Sequence, residues 1–340
     1  MLTQGGRHRR RRFPGVLAAA LALLFVTAIV FGYLVVAAGD DASRGAVAHS
    51  GVERLTTPAI ERPPVQTEVG PLPEPPGAAR ADLAQPALLP ALRLQPAPAA
   101  GLAFDLEDGR VLWRRGATRV RSIASLTKLM TGLLAIERFG RRSLVALTAA
   151  PDQVGGTHMG GLRAGRRVRA EVLLQGLMIA SGNDAAVALA IGGAGSERAW
   201  VQLMNRRAQL LGLTCTRFVD PHGLDPGNRS CPADIAALAV RAMAEPRLRR
   251  IVRRTFARVW TGAGKKVTLR STNRLLRQRY PGVVGLKTGF TNRAGHCLVA
   301  IVQRGSRRIG VVLLGSRFSA FADARRVLRE AARAGIIPPA

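Results

Sequence analysis

The amino-acid sequence predicts an α+β domain in which one antiparallel sheet is built from both ends of the domain, with a helical subdomain between them. Three observations indicate this fold. A hairpin pattern with an Asp-Gly turn occupies residues 101–113. Apolar residues at three- and four-residue spacing dominate residues 125–244, which is typical of helices. Strand-like segments then return at residues 267–314, so that strands stand at both ends and helices in the middle.

The predicted elements follow in a regular order along the chain. Two strands, at 101–106 and 110–113, flank the turn Glu107-Asp108-Gly109. Helices are predicted at 125–140, 171–180, 184–191, 197–211 and 232–244. Further strands are predicted at 267–269, 283–286, 296–303 and 308–314, and an amphipathic helix at 320–333 ends the domain.

The composition is that of a globular protein with an unusually basic surface. The 340 residues are 47% apolar, and 51 Lys and Arg against 21 Asp and Glu give a formal net charge of +30. Such a charge can indicate a nucleic-acid partner. We expect none, because the arginines are spread along the whole chain with few aromatic residues between them and without a nucleic-acid motif. We expect instead a surface attracted to anionic phospholipid or cell-wall polymer.

The N-terminal part has the composition of a membrane-targeting segment followed by a linker. Residues 1–12 include five arginines, and residues 13–38 contain no charged residue. A membrane span needs about 20 apolar residues, whereas the core of a cleavable signal peptide has about 7 to 15. We therefore predict a signal anchor at 13–38 with residues 1–12 in the cytoplasm. The alternative is a signal peptide that is cleaved after Ala38.

The rest of the chain is expected outside the cytoplasmic membrane. Residues 39–98 are rich in Pro and Ala and predict a linker, and residues 99–340 form the predicted folded domain, facing the periplasm. Cys215 and Cys231 flank a turn-rich loop, and the sequence leaves open whether they form a disulfide in this oxidising compartment. Cys297 is predicted to be a buried thiol. No Cys and His spacing resembles a metal site, so neither metal nor cofactor is expected.

Ser125 and Lys128 are the first candidate functional residues. They stand three positions apart at the start of a predicted helix and so share one face of it. The chain has only four lysines, Lys128, Lys265, Lys266 and Lys287, although it has many arginines. Because arginine does not lose its proton in proteins, a lysine at such a position indicates proton transfer. A serine nucleophile with a lysine base is therefore one interpretation, and a helix start capped by Ser125 is the other.

Two further polar segments complete a three-part signature. Ser181-Gly182-Asn183 lies between two predicted helices, and Lys287-Thr288-Gly289 follows a predicted strand. Alone, the first is explained as a helix cap and the second as a strand end with a glycine turn. Ser-x-x-Lys, Ser-x-Asn and Lys-Thr-Gly in this order are, however, the signature of penicillin-binding proteins and class A β-lactamases.

With these three segments, residues 99–334 resemble the serine D-alanyl-D-alanine peptidases, the low-molecular-mass penicillin-binding proteins. The resemblance implies the penicillin-binding/β-lactamase-like transpeptidase fold. Phe290-Thr291-Asn292 and the later Phe321-Ala322-Asp323-Ala324 are most like the D-alanyl-D-alanine endopeptidase branch. In the carboxypeptidase branch a histidine commonly stands at the position of Phe290, and an arginine often at that of Ala320.

The resemblance implies a reaction and its residues. Ser125 would attack the carbonyl of a D-alanine in a peptidoglycan stem peptide and form an acyl-enzyme, Lys128 would act as base, and Ser181 would pass a proton to the leaving amine. Substrate binding is implied for Asn183, Lys287, Thr288 and Gly289. Backbone N–H groups of Ser125 and Phe290 would form the oxyanion hole. β-Lactams are the implied acylating inhibitors, and cell-wall biogenesis and cell shape the implied processes.

Three alternative interpretations are weaker. A class A β-lactamase needs a deacylating glutamate, usually in a Glu-x-x-Leu-Asn segment, and Glu197 and Glu245 fit that pattern poorly. A non-catalytic wall-binding scaffold would not need all three segments. A triad of Ser125 with His222 and Asp220 is unnecessary when Lys128 supplies the base. Asp184 is predicted to cap its helix or to brace the Ser181 turn.

Overall fold

The computed structural model describes residues 80–262, 264 and 266–339. The predicted cytoplasmic segment 1–12, the predicted anchor 13–38 and the first part of the predicted linker lie outside the described residues. Within the described ranges, none of the helices combines the length and the apolar character needed to span a bilayer.

The predicted strands and helices occur in the predicted order, and short strands and helices that the sequence does not predict lie between them. The strands are β1 (Ala100–Asp105), β2 (Val111–Arg115), β3 (Arg121–Ser122), β4 (Leu144–Ala146), β5 (Arg167–Arg169), β6 (Arg229–Ser230), β7 (Phe256–Trp260), β8 (Lys266–Arg270), β9 (Val283–Thr291), β10 (Gly295–Arg304) and β11 (Arg307–Ser316). The α-helices are α1 (Lys128–Arg138), α2 (Ala150–Gln153), α3 (Ala170–Gln175), α4 (Asn183–Ala194), α5 (Glu197–Leu210), α6 (Pro232–Ala244), α7 (Pro246–Val252), α8 (Arg274–Arg277) and α9 (Ala320–Arg333).

Both ends of the domain contribute to one five-stranded antiparallel sheet. Its strand order is β2-β1-β11-β10-β9, and Ala100 of β1 pairs with Leu314 of β11. The hairpin of β1 and β2 thus joins the three C-terminal strands, which confirms the predicted α+β arrangement. Short two-stranded ribbons, β3–β6, β4–β5 and β7–β8, lie outside this sheet. Strand β9 occupies one edge of the sheet.

Helices cover both faces of the sheet. Val312 and Leu314 of β11 belong to a core that also contains the buried residues of α1, α4 and α6. Their neighbours Val311 and Leu313 belong to a second core, which includes Val327 and other residues of α9. Successive side chains of a strand point to opposite faces, so burial on both sides requires the uninterrupted apolar run of β11.

The folded part begins earlier than the predicted boundary at residue 98. Backbone N–H groups of Leu88 and Leu89 donate to the carbonyls of Val111 and Leu112 in β2, at 3.0 and 2.7 Å. Leu94 is 3% exposed and belongs to the second core. Leucines between the prolines thus make residues 80–98 part of the domain, which corrects the end of the predicted linker.

Two predicted elements end at different residues. The predicted helix at 171–180 is α3 followed by one turn of π-helix over Gly176–Ala180. Strand β9 does not end at Leu286 but continues to Thr291, because β10 pairs with it along this length. Lys287-Thr288-Gly289 therefore lies within a strand, and the glycine turn expected there is absent.

Cys215 and Cys231 form a disulfide that closes the loop before α6. The Asp234 carboxylate in the first turn of α6 accepts hydrogen bonds from the Cys215 N–H and the Thr216 hydroxyl, both at 2.7 Å. Cys297 is a buried free thiol, as predicted, and burial raises its pKa to about 11.

Removing the disulfide should destabilise the domain. We expect the Cys215→Ala/Cys231→Ala variant to lose about 3 kcal/mol of unfolding free energy, because the crosslink restricts the unfolded chain over a 16-residue separation. Urea denaturation with and without a thiol reductant measures this. The reductant should destabilise the wild type and leave the variant unchanged. Equal sensitivity of the two proteins would contradict a stabilising disulfide.

Candidate active site

Ser125 lies in a tight turn that leads into α1. Residues Ala124–Thr127 form one turn of 3₁₀-helix, and the Thr127 hydroxyl donates to the Ala124 carbonyl at 2.8 Å. Ala124 has φ of +48°, a conformation that non-glycine residues rarely adopt. Such backbone is retained where the surroundings enforce it, often at functional sites. The turn places Ser125 at the boundary between the core and the open side of the site.

The Lys128 ammonium group is buried and donates to three uncharged oxygens. Its Nζ lies 3.0 Å from Ser125 Oγ, 2.6 Å from Asn183 Oδ1 and 2.6 Å from the His222 carbonyl. Burial and the positive charge of Lys287 lower the pKa of Lys128 well below its usual value. The charges of Asp220 and Asp184 oppose this with a smaller effect. The arrangement suits a lysine that gains and loses a proton.

Ser181 occupies a sharp bend between the π-turn and α4. Its φ is +62°, in the left-handed region. Its hydroxyl oxygen accepts a hydrogen bond from Lys287 Nζ at 2.8 Å. A Cβ at Gly182 would lie 2.6 Å from Asp184 Oδ1 and 2.9 Å from the Met159 nitrogen, so only glycine fits after this serine.

The Asn183 side chain is buried and forms two hydrogen bonds within the protein. Its carbonyl oxygen accepts from Lys128, and its amide nitrogen donates to the Gly155 carbonyl at 2.7 Å. The residue is 2% exposed. The geometry thus makes Asn183 a residue that positions Lys128, and its assignment to substrate binding stays a prediction.

Lys287 is a second buried lysine, contributed by the edge strand β9. It is 1% exposed, and its Nζ donates to Ser181 Oγ at 2.8 Å and to the Thr288 carbonyl at 2.9 Å. Burial lowers the pKa of Lys287 to about 7. The site thus contains two serine–lysine pairs, Ser125 with Lys128 and Ser181 with Lys287.

Gly289 allows β9 to approach the Ser125 turn. A Cβ at Gly289 would lie 3.0 Å from the Ser125 nitrogen and 3.1 Å from the Ile123 carbonyl oxygen. The glycine is therefore explained by contact between two backbone segments of the protein. Phe290 follows it with 57% of its surface exposed, and its ring centroid lies 4.6 Å from that of His296.

Sequence reasoning misses Thr272, whose hydroxyl lies 2.6 Å from that of Thr288. The Thr272 N–H also donates to the Ile179 carbonyl at 3.1 Å, so this residue links β9 to the segment that precedes Ser181. Thr272 stands 16 residues before Thr288 in a segment without a recognisable motif. No local signal in the sequence could have identified it.

The loop around His222 contributes backbone groups to the site. The His222 carbonyl accepts from Lys128, and the Asp220 carboxylate accepts from the N–H groups of His222, Gly223 and Asp225. Gly223 has φ of +92°, and a Cβ there would lie 2.0 Å from the Ala124 carbonyl oxygen. The loop therefore packs directly on the Ser125 turn, and no described contact joins the His222 ring to Ser125.

Asp184 braces a neighbouring loop rather than the Ser181 turn itself. Its carboxylate accepts from the N–H groups of Met159 and Gly160 at 2.8 and 3.0 Å. It also accepts from the Ala185 N–H at the start of α4. Among the described residues, one group of three metal-ligating side chains occurs, Cys215, Cys231 and Asp234, and both of its sulfurs are bonded to each other in the disulfide.

The chain is similar in sequence and in fold to D-alanyl-D-alanine peptidases. DacF, a D-alanyl-D-alanine carboxypeptidase of Bacillus subtilis, is 34% identical over 218 residues, covering 63% of this chain and 56% of that protein. A D-alanyl-D-alanine endopeptidase of Pseudomonas aeruginosa is 32% identical over 254 residues, covering 70% of this chain and 78% of its own length. The solved structure of a D-alanyl-D-alanine carboxypeptidase from Mycobacterium tuberculosis superposes with a TM-score of 0.64 at 31% identity, covering 70% of this chain and 92% of that one.

The fold is that of the penicillin-binding DD-peptidases. The chain belongs to the D-alanyl-D-alanine carboxypeptidase family, whose sequence model matches residues 93–317. The chain spans little more than half the length of the Bacillus relative. Carboxypeptidases and endopeptidases both occur among the relatives, so the assignment to the endopeptidase branch stays a prediction.

The burial of Lys287 should make stability rise with pH. Its pKa is about 7 in the folded protein, and about 10.4 is usual for an exposed lysine. Between these values the unfolded chain binds more protons, so the unfolding free energy increases with pH. We expect the wild type to gain stability relative to Lys287→Met between about pH 7 and pH 9, as measured by urea denaturation. Parallel pH profiles would exclude a lowered pKa at Lys287.

Proposed function

We propose that this protein is a serine DD-peptidase that hydrolyses D-Ala–D-amino-acid bonds of peptidoglycan stem peptides or cross-links through an acyl-enzyme. The observation that supports this most strongly is the position of the buried Lys128 amine, 3.0 Å from Ser125 Oγ and bonded only to uncharged oxygens. A buried lysine without a carboxylate partner can be neutral at physiological pH. It can then accept the proton of the serine hydroxyl.

The acylation step would use both serine–lysine pairs. Ser125 Oγ attacks the carbonyl carbon of the penultimate D-alanine while its proton passes to Lys128 Nζ. The oxygen of the tetrahedral intermediate is stabilised by the N–H groups of Ser125 and Phe290, and loss of one such donor costs about 100- to 1000-fold in rate. When the C–N bond breaks, Ser181 gives its proton to the leaving amine and Lys287 reprotonates Ser181. Water then attacks the ester carbonyl and gives one proton to Lys287 through Ser181. Lys128 returns its proton to the Ser125 oxygen as the ester bond breaks, which restores all four groups.

Substrate binding is assigned to the edge of β9. An extended peptide can add to an exposed strand edge through backbone hydrogen bonds. Lys287 and Thr288 supply a positive charge and a hydroxyl for a carboxylate or amide on the leaving side, and Thr272 orients that hydroxyl. Gly289 keeps β9 close to the nucleophile. Asn183 holds Lys128 at 2.6 Å, and we assign its amide to substrate binding as well.

We propose that the enzyme works at the outer side of the cytoplasmic membrane, in the periplasm. The uncharged segment 13–38, preceded by five arginines, supports membrane attachment with residues 1–12 in the cytoplasm. The remaining Pro-rich segment before residue 80 would let the catalytic domain reach the wall polymer. Acting on stem peptides there would connect it to cell-wall biogenesis and cell shape.

Labelling with a fluorescent penicillin tests the acyl-enzyme. We expect a covalent band for the wild type and none for Ser125→Ala, because the label forms an ester with this hydroxyl. Absence of a band in the folded wild type would refute the proposal, and rapid release of hydrolysed drug would favour a class A-like β-lactamase. Digestion of cross-linked and uncross-linked muropeptides then shows whether the enzyme is an endopeptidase or a carboxypeptidase.

Replacing Lys128 by arginine separates charge from proton transfer. Lys128→Arg keeps the positive charge but cannot accept the Ser125 proton, so acylation should be slower by about 100- to 10,000-fold. Lys266→Arg is the matched control, since Lys266 lies on the exposed face of β8. Stopped-flow labelling with the penicillin gives both rates. A Lys128→Arg protein that acylates at the wild-type rate would show that another group is the base.

A further inference from the structure

Besides the active site, the described residues enclose a groove between two hairpins and a helix. Hairpins β4–β5 and β7–β8 form its sides and α3 its floor, with a volume of about 540 Å³. This volume is within the range of sites that bind a small molecule or part of a polymer. A Cβ at Gly262 would lie 2.6 Å from the Arg167 carbonyl oxygen, so the two hairpins are in backbone contact.

The groove is strongly cationic. Four arginines line it, and no Asp or Glu does among the described lining residues: Arg167, Arg169, Arg254 and Arg258. Within the described part of the chain none of the four forms an ion pair, and Arg254 donates to the neutral Gln175 side chain at 3.1 Å. Some arginines elsewhere are paired with carboxylates, as Arg247 is with Glu171. The unpaired guanidinium groups favour an anionic ligand.

The same groove carries an exposed aromatic side chain. Trp260 is 57% exposed, whereas the other two tryptophans, Trp113 and Trp200, are 4% and 0% exposed. Leu144 on the opposite hairpin is 55% exposed. A large apolar surface rimmed by charged residues indicates a binding surface. An indole ring beside guanidinium groups suits a ligand that combines flat rings with acidic groups.

The groove is connected to the active site through short segments of chain. Helix α3, which forms its floor, continues through Gly176–Ala180 into Ser181. Strand β8 ends at Arg270, and Thr272 bonds to Thr288 and to the Ile179 carbonyl. The side branches of a polymer that lies in the groove could therefore reach the candidate active site.

We propose that this groove binds a carboxylate-bearing glycan strand, the polymer to which the stem peptides of the proposed function are attached. Sugar rings would pack on Trp260 and Leu144, and carboxylates of neighbouring stem peptides would pair with the arginines. A groove admits a strand but not the flat surface of a bilayer. With this groove, the enzyme would prefer polymeric substrates to small ones. The identity of the ligand rests on the proposed function.

Sedimentation with purified peptidoglycan sacculi tests the groove. The full chain with Ser125→Ala is used, so that the polymer is not degraded. We expect Arg167→Gln/Arg169→Gln/Arg258→Gln and, separately, Trp260→Ala to weaken binding about tenfold or more. The matched control is Arg326→Gln/Arg329→Gln/Arg333→Gln, which removes three exposed charges from α9 and should change binding by less than about twofold.

The outcomes separate this inference from the proposed function. If both triple variants weaken binding equally, diffuse charge attraction explains the binding and the inference is wrong. The inference is also wrong if inorganic polyphosphate displaces the protein from sacculi at the same concentration as soluble glycan strands do. With Ser125 intact, the groove variants should react with fluorescent penicillin at the wild-type rate, which shows that their fold and site are preserved. A wild type that binds sacculi but takes up no penicillin would refute the peptidase and leave the groove standing.

Discussion

The buried ammonium group of Lys128 is the interaction on which the site depends. Its three hydrogen bonds join the Ser125 turn to residues 55 and 94 positions further along the chain. Removing a charge from water is costly unless it is compensated, and here uncharged oxygens compensate it only in part. The remaining cost lowers the pKa of the lysine. The same burial that holds three segments together therefore suits Lys128 to the role of base that we propose for it.

Close backbone approach is the second constraint. Gly223 lies against the Ala124 carbonyl and Gly289 against the Ser125 nitrogen, so two segments meet the nucleophile turn with no side chain between them. Ala124 and Ser181, which both have positive φ, store local strain at the same place. The packing of α1, α4 and the sheet outweighs that strain. The two turns that carry Ser125 and Ser181 are therefore held in place by the fold of the domain.

Periodic segments could be predicted from the sequence, and side-chain partners could not. Helix α9 lies at the predicted residues 320–333 because its apolar face is regular. Strand β9 passes through Gly289, since pairing with β10 outweighs the low strand propensity of glycine. The three motif segments converge as expected. Two contacts could not be predicted, because they depend on tertiary packing and not on local sequence. They are the hydrogen bond from the Asn183 amide to the Gly155 carbonyl and the contact between Thr272 and Thr288.

The second buried lysine, Lys287, affects the protonation of the first, Lys128. Burial lowers the pKa of Lys128, and the positive charge of Lys287 lowers it further. In the reaction that we propose, Lys128 becomes charged when it takes the Ser125 proton. Its repulsion then favours release of a proton from Lys287 to Ser181, 2.8 Å away, as Ser181 gives its own proton to the leaving amine. Acceptance of a proton by Lys128 would thus promote donation of a proton by Lys287. Attack on a peptide bond and departure of its amine need these two events in that order.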